Sequence, residues 1–169
     1  MVRLKSVRDQ DQALTLSEAR SMFHFHDELW LPRSRDEVFP FFADAGNLCE
    51  ITPPWVKFQV LTPAPIVMRP GTLIDYRIRV HGLPIRWRTE ITEWNPPCHF
   101  VDVQLRGPYT LWRHTHTFEE KDGGTLCSDN VTYRPRGGAI IQRLFVRKDV
   151  ERIFAYRRKR LLELFPAGT

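Results

Sequence analysis

Apolar and polar residues alternate along most of this chain in short runs, the pattern typical of strands in an antiparallel sheet. A first strand is predicted at Phe23–Leu31, where Pro32 ends it. Six more are predicted at 57–61, 72–80, 85–94, 100–106, 111–120 and 125–134. Turn-forming residues, such as Asn95-Pro96-Pro97 and Asp122-Gly123-Gly124, separate them. Connections this short make neighbouring strands antiparallel.

Two short helices are predicted between the first and second strands. Ser34 and Glu37 have the spacing of a capping box, in which the serine caps a backbone amide and the glutamate reaches back. Pro40 lies inside this helix and should kink or shorten it, because proline has no amide donor. Asp44 can cap a second short helix that runs to about Ile51.

A long helix is predicted from Gly138 to Phe165. Its apolar residues recur at helical spacing and form one stripe, made of Ile141, Leu144, Phe145, Val150, Ile153, Phe154, Leu161, Leu164 and Phe165. A single sheet must bury one of its faces, so the apolar stripe of the helix should pack on that face. The predicted fold class is α+β: a curved antiparallel sheet of about seven strands, two short helices after strand 1, and a long C-terminal helix on the sheet. A curved sheet and a straight helix can leave a cavity between them.

Composition changes this picture little. A chain of 169 residues with 42% hydrophobic and 27% charged residues is typical of one globular domain, which we place at 22–166. Residues 1–21 are polar, so we expect a disordered tail and no secretory signal. The three cysteines, Cys49, Cys98 and Cys127, stand outside any CxxC motif. We therefore expect reduced thiols and a cytoplasmic location.

The net charge of +5 is concentrated in the predicted C-terminal helix. Its basic residues are Arg143, Arg147, Lys148, Arg152, Arg157, Arg158, Lys159 and Arg160. They could form a solvated outer face, which we favour, or contact anionic lipid headgroups or acidic ligands. The longest basic run, 157–160, is short for a nucleic-acid patch, so no nucleic-acid partner is expected.

The hairpin predicted within Phe100–Phe118 carries polar side chains at strand spacing. His114 and His116 share a face with each other, because residues i and i+2 of a strand point the same way. Across the turn at residues 122–124, His116 should lie opposite Asp129 or Val131. The residues on the other faces of these strands are more polar, which places the two histidines inside.

The orientation of Asp102 and Gln104 depends on the turn between their strand and the next. A two-residue turn, Gly107-Pro108, sets Asp102 against Arg113 and outside. A three-residue turn that includes Tyr109 sets Asp102 against His114 and inside. An even turn at 95–98 would also place Asp102 and Gln104 inside, on the face of Trp87 and Ile91. We favour the inward orientation.

The element order and several motifs resemble the START/SRPBCC superfamily, which has the helix-grip fold. The resemblance spans about 23–165 and rests on Ile51-Thr52-Pro53-Pro54, Met68-Arg69-Pro70-Gly71, Gly82-Leu83-Pro84 with Trp87, Phe100-Val101-Asp102 with Gln104, Gly107-Pro108-Tyr109, Trp112 with His114 and His116, Gly123-Gly124-Thr125, and Asp129 with Val131 and Tyr133. The similarity is greatest to small bacterial ligand-binding members grouped with polyketide cyclases/dehydrases. It implies a cavity for an apolar or amphipathic ligand, usually without a metal, and no single activity.

The leading prediction is a carrier or sensor that binds a small hydrophobic ligand (a lipid, quinone or polyketide-like molecule) between sheet and helix. The predicted ligand-binding residues are Trp87, Asp102, Gln104, Trp112, His114, His116, Phe118 and Tyr133. One alternative is a cyclase or dehydratase in which His114, His116, Asp102 and Asp129 are candidate catalytic acids and bases. Another is a module that binds a membrane surface or a partner through the basic helix.

A metal site is the remaining alternative. His114, His116 and either Asp102 or Asp129 include the nitrogen and oxygen ligands that zinc or iron binds. Two histidines and an aspartate are a weak pattern, however, and hydrogen-bonded structural histidines are commoner. From the sequence we therefore expect no metal and no cofactor.

Overall fold

A computed structural model describes residues 22–167 of the chain. Within them, seven strands form one antiparallel sheet in the order β1-β7-β6-β5-β4-β3-β2. The strands are β1 Phe23–Leu31, β2 Gln59–Val60, β3 Leu73–Val80, β4 Leu83–Asn95, β5 His99–Arg106, β6 Tyr109–Lys121 and β7 Gly124–Pro135. The predicted α+β fold is confirmed. The tail predicted at 1–21 lies outside the described residues.

Two tight turns set the register of their hairpins. Asp122 and Gly123 join β6 to β7 with φ angles of 51° and 74°. His81 and Gly82 join β3 to β4 with φ angles of 50° and 82°. Two consecutive positive φ angles are the requirement of a type I′ hairpin turn. Because the second turn contains only two residues, β4 begins at Leu83, two residues earlier than predicted.

The segment that leads into β2, the strand at one edge of the sheet, differs from the prediction. Strand β2 contains only Gln59 and Val60, whereas the pattern predicted 57–61. Residues 54–56 form a turn of 3-10 helix instead, and Lys57 ends it in the left-handed conformation, with φ 46°. The chain therefore reaches an extended conformation only after Lys57.

The two predicted short helices are present. Helix α1 spans Arg35–Ala43, and the carboxylate of Glu37 accepts hydrogen bonds from the backbone N (3.1 Å) and hydroxyl (2.7 Å) of Ser34. Pro40 lies inside α1, which is nine residues long. The second helix is 3-10, spans Ala45–Cys49 and ends earlier than predicted; the Asp44 side chain caps it by accepting from Gly46 N at 2.8 Å.

The C-terminal helical segment has three parts. Helix α2 spans Gly138–Ile141, a π-helical turn spans Gln142–Val146, and helix α3 spans Arg147–Leu164. The extra residue of a π turn rotates the residues before it by about 100° relative to those after it. Leu144 and Phe145, predicted in the buried stripe, lie within this turn and are 56% and 49% exposed. Gln142 is buried instead.

Core side chains cover the sheet's inner face at both of its ends. Phe39 and Phe42 of α1 pack edge-on against Phe118, with ring centroids 5.3 Å and 5.0 Å apart. Val150 and Phe154 of α3 are buried against β7 residues at the other end. Between these two contacts the helix and sheet leave space. Among the described residues, no helix has the length and apolar character needed to cross a membrane.

Candidate functional site

A cavity of about 750 Å³ lies between the inner face of the sheet and the C-terminal helix. Its wall includes Trp87 and Trp112 from the sheet and Ile153 and Phe154 from α3. A second cavity of about 190 Å³ lies toward α1, beside residues such as Phe42 and Phe100. The two spaces share several lining residues, so they meet inside the protein. The shared residues are Ile51, Thr52, Ile78, Trp87, Trp112, His114 and Arg157.

The strand register brings Asp102 to the inner face. Asp102 pairs with His114, the arrangement expected for the three-residue turn. On its other side Asp102 pairs with Ile91, which is also inside. Because Asn95 pairs with His99, the turn between β4 and β5 contains three residues, an odd number that alone would put Asp102 on the outer face. A bulge between Ile91 and Glu93 shifts the register by one residue and returns Asp102 to the inner face.

Two aspartates and two histidines form a closed buried cluster. Asp129 Oδ1 lies 2.7 Å from His114 Nε2 and 2.9 Å from His116 Nδ1. Asp102 Oδ2 lies 3.2 Å from His116 Nε2 and 3.7 Å from His114 Nδ1. The imidazole rings face each other at a centroid distance of 3.8 Å. The predicted inward orientation of His114 and His116 is confirmed, since both are buried.

Arg157 on α3 completes this cluster. Its guanidinium Nη1 lies 3.4 Å from Asp129 Oδ1, and both side chains are 12% exposed. Arg157 was expected on a solvated face with its basic neighbours, so its role in this cluster was missed. The only available signal was that a buried Asp129 requires a cationic or hydrogen-bonding partner. Which of the many arginines supplies it depends on how the helix lies on the sheet.

The cluster shifts the proton affinities of its members in different directions. Burial acts to raise the pKa of Asp129, but Arg157 and the hydrogen bonds from both histidines outweigh it and hold that pKa well below its usual range. Burial and the adjacent His116 lower the pKa of His114. Burial also opposes the charge on His116, but hydrogen bonds to Asp102 and Asp129 raise its pKa. Asp129 is therefore held as a carboxylate by Arg157 and the two histidines.

The predicted ligand-binding residues do not all lie at the cavities. Trp87, Trp112 and His114 line both cavities, and Asp102 and His116 line the smaller one. The other predicted ligand-binding residues have structural contacts elsewhere: Gln104 closes the β5–β6 turn, Phe118 belongs to the core beneath α1, and Tyr133 accepts a hydrogen bond from Gln142 Nε2 at 2.7 Å. Asp129, predicted as a candidate catalytic residue, holds the two histidines.

An aromatic wall stands beside the cluster. The rings of Trp87 and Trp112 are 5.4 Å apart in an edge-on arrangement, and Tyr109 lies 4.7 Å from Trp112. Trp87 Nε1 donates to Thr89 Oγ1 at 3.0 Å, so the half-buried indole keeps a hydrogen-bond partner. Burial raises the pKa of the Tyr109 phenol, which therefore stays protonated and neutral. This wall offers ring faces and edges to an apolar ligand.

Half-exposed side chains mark where the larger cavity reaches the surface. Trp55 is 51% exposed, and the Arg152 guanidinium lies 5.3 Å from the centre of its ring. Phe145, from the π-helical turn, lies with its ring 5.9 Å from that of His81 at the β3–β4 turn. All four residues line the larger cavity. Trp55 belongs to the 3-10 turn at residues 54–56 and His81 to the β3–β4 turn, so a ligand can enter between these two turns and the C-terminal helix.

Comparisons with known proteins agree with this architecture. Residues 31–155 match the family described as "Polyketide cyclase / dehydrase and lipid transport". A comparison with curated proteins found no match.

Solved structures share the fold at low sequence identity. The Zhui aromatase/cyclase from Streptomyces sp. R1128 has a TM-score of 0.66 and 17% identity, over 84% of this chain and 92% of its own. Protein CV1439 from Chromobacterium violaceum has a TM-score of 0.65 and 16% identity, over 88% and 99%. Major latex-like protein 151 from Panax ginseng has a TM-score of 0.62 and 7% identity, over 86% and 99%.

Proposed function

Because the chain belongs to the polyketide cyclase/dehydrase and lipid transport family, we propose that it binds a small hydrophobic or amphipathic ligand, as a carrier or sensor. The observation that carries the proposal is the cavity of about 750 Å³ between the sheet and the C-terminal helix. Ligand sites in proteins are usually apolar clefts of about 300–1,000 Å³ with a few polar groups that orient the ligand. This cavity fits that description.

The walls suggest how such a ligand lies. Trp87, Trp112 and Phe154 present apolar surface to its body. Thr52, His114 and Arg157, where the two cavities meet, are polar groups available to its head. A lipid, a quinone or a polyketide-like molecule would match both parts of the cavity. Its apolar body would contact the aromatic wall, and its hydroxyl or carbonyl group would contact the polar residues.

Filling the cavity tests this proposal. Ile78 is a half-buried β3 residue that lines both cavities, and Ile78→Trp would occupy shared space. Leu73 lies on the same strand, is 45% exposed and lines neither cavity, so Leu73→Trp is the matched control. In titrations with the fluorescent probe 1-anilinonaphthalene-8-sulfonate, we expect Ile78→Trp to lose binding and Leu73→Trp to retain it. Equal binding by both variants would contradict the proposal.

A second candidate function is a cyclase or dehydratase that acts on a ligand in the same space. The specific observation in its favour is that Asp102, His114 and His116 border the cavity in mutual contact. Acid–base catalysis requires such groups within hydrogen-bond reach of the substrate. Incubation with a β-polyketone thioester and product analysis by mass spectrometry tests this function. Binding without turnover, in wild type and in His114→Ala alike, would exclude it for that substrate class.

The membrane-surface alternative has less support, because five of the eight basic residues of the C-terminal helix have anionic partners. The pairs are Arg147–Glu151, Arg157–Asp129, Arg158–Asp27, Lys159–Glu163 and Arg160–Glu163. Ion pairs therefore involve most of these basic residues, four of them outside the buried cluster and Arg157 within it. Sedimentation with vesicles of anionic phospholipid tests the alternative, and salt-sensitive binding would restore it.

The three free cysteines fit the cytoplasmic location that we propose.

A further inference from the structure

We propose that Asp102, His114 and His116 bind one divalent first-row transition-metal cation, such as Zn²⁺ or Fe²⁺. The ligand atoms are Asp102 Oδ2, His114 Nδ1 and His116 Nε2, which lie within 4.8 Å of one another. Two imidazoles and one carboxylate suit zinc and iron(II). This proposal adds to ligand binding in the cavity and does not depend on it.

Asp129 is the residue that makes this set a site. Its Oδ1 lies 2.7 Å from His114 Nε2 and 2.9 Å from His116 Nδ1, so both of those nitrogens donate to the same carboxylate. Histidines that bind metals almost always donate their other ring N–H to a carboxylate or carbonyl in this way. The remaining nitrogens, His114 Nδ1 and His116 Nε2, then face Asp102 together.

Asp102 lies at distances from the two imidazoles that are close to those of a metal site. Its Oδ2 is 3.2 Å from His116 Nε2 and 3.7 Å from His114 Nδ1. Ligand atoms about 2.0–2.1 Å from a metal lie about 2.9–3.4 Å apart at octahedral to tetrahedral angles. The distance to His116 is within that range, and the distance to His114 is slightly longer. The distance to His114 Nδ1 is also too long for a hydrogen bond with Asp102.

The local charges also favour a cation. Asp102 and Asp129 are two carboxylates, and Arg157 contributes one positive charge at 3.4 Å from Asp129. With both imidazoles neutral, the cluster has a net charge of −1 in surroundings where an unbalanced charge is costly. A divalent cation bound to Asp102 and the two imidazoles places positive charge beside both carboxylates.

The three ligands border a cavity, so a bound cation keeps open positions. Asp102, His114 and His116 line the smaller cavity, and His114 also lines the larger one. Sites with three protein ligands and an open position are typical of metals that bind a water or substrate oxygen. The polar head of a cavity ligand is within reach of such a position.

Titration of the EDTA-treated, untagged protein with Zn²⁺ tests the proposal by calorimetry, with Co²⁺ absorption as a second readout. We expect one Zn²⁺ per chain for wild type and loss of stoichiometric binding in Asp102→Asn. The chain supplies a matched control: His24 and His26 have the same i, i+2 spacing on exposed positions of β1. His24→Gln/His26→Gln should bind like wild type. Loss of binding in this control alone would overturn the proposal.

A measurement on wild type remains decisive if Asp102→Asn fails to fold. Addition of Zn²⁺ to protein with ¹⁵N-labelled histidine should shift the ring-nitrogen resonances of His114 Nδ1 and His116 Nε2, with His24 and His26 unchanged. Unchanged resonances of His114 and His116 at saturating Zn²⁺ would mean that the cluster does not bind the cation. That result would overturn the proposal while leaving ligand binding in the cavity intact.

Discussion

Asp102 on β5 stands directly opposite His114 on β6, and its Oδ2 lies 3.7 Å from His114 Nδ1. Continued along the strands, this register sets Arg106 opposite Thr110, so Gly107, Pro108 and Tyr109 lie between the opposed positions, although Tyr109 already belongs to β6. The Gln104 side chain spans the turn: its Nε2 donates to Tyr109 O at 2.8 Å, and its Oε1 accepts from Tyr109 N at 3.3 Å. The turn therefore holds the register on which the cluster depends.

Gln104 and Gly107 should show coupled effects on stability. A Cβ at Gly107 would lie 2.2 Å from Gln104 Oε1, so Gly107→Ala displaces the side chain that closes the turn. Gln104→Ala removes the same hydrogen bonds, at a cost of about 1 kcal/mol each. We expect Gly107→Ala to lower the free energy of unfolding in wild type and to cost much less in the Gln104→Ala background. Urea unfolding of the four proteins measures this coupling, and strictly additive effects would show that the two residues act separately.

Asp129→Asn should destabilise the protein strongly. The change leaves the buried Arg157 guanidinium without its carboxylate and removes the shared acceptor of both histidines, and breaking a buried ion pair costs about 3–5 kcal/mol. Asp75, which pairs with Arg88 at 2.8 Å on the exposed face, is the control. Exposed pairs contribute little, so Asp75→Asn should leave the unfolding midpoint in urea nearly unchanged. Similar midpoints for both variants would show that the Asp129 cluster contributes no more than a surface pair.

Acid should selectively remove the contribution of Asp129. Its pKa in the folded protein is well below the ordinary value of 3.8, so the folded state favours the ionised form. This contribution is fully present above pH about 4 and is lost as the pH falls through the folded pKa. In metal-free protein, the difference in unfolding free energy between wild type and Asp129→Asn should therefore narrow from pH 5 to pH 2.5. A constant difference over that range would contradict the lowered pKa.

The cysteines should differ in reactivity. Burial, and to a lesser extent Asp129, raise the pKa of Cys127 to about 12, while Cys49 is exposed. Because the thiolate is the reactive form, Cys127 should resist iodoacetamide at pH 8 and Cys49 should react. Peptide mass spectrometry with and without urea measures this, and urea should abolish the difference. Equal labelling of both cysteines in the folded protein would contradict the buried placement of Cys127.

Much of the fold was predictable because it depends on local chemistry. The turn at Asp122-Gly123 and the capping box at Ser34 and Glu37 are encoded by neighbouring residues, and both are observed. The apolar stripe of the C-terminal helix was predicted only in part. Leu144 and Phe145 follow the periodicity of a regular helix, but the π-helical turn places them outside. Nothing in the residue pattern indicates that extra residue.

The sequence by itself determined that strands, two short helices and a long helix form, and that His114 and His116 share an inner face. Alternation and turn chemistry act over a few residues, so the chain carries this information locally. Only the tertiary structure decided that Asp102 joins them, because two odd turns and a bulge must combine to set its side. It alone decided that Arg157, rather than another arginine, reaches Asp129. That choice depends on how α3 lies across the sheet, and packing between distant segments sets it.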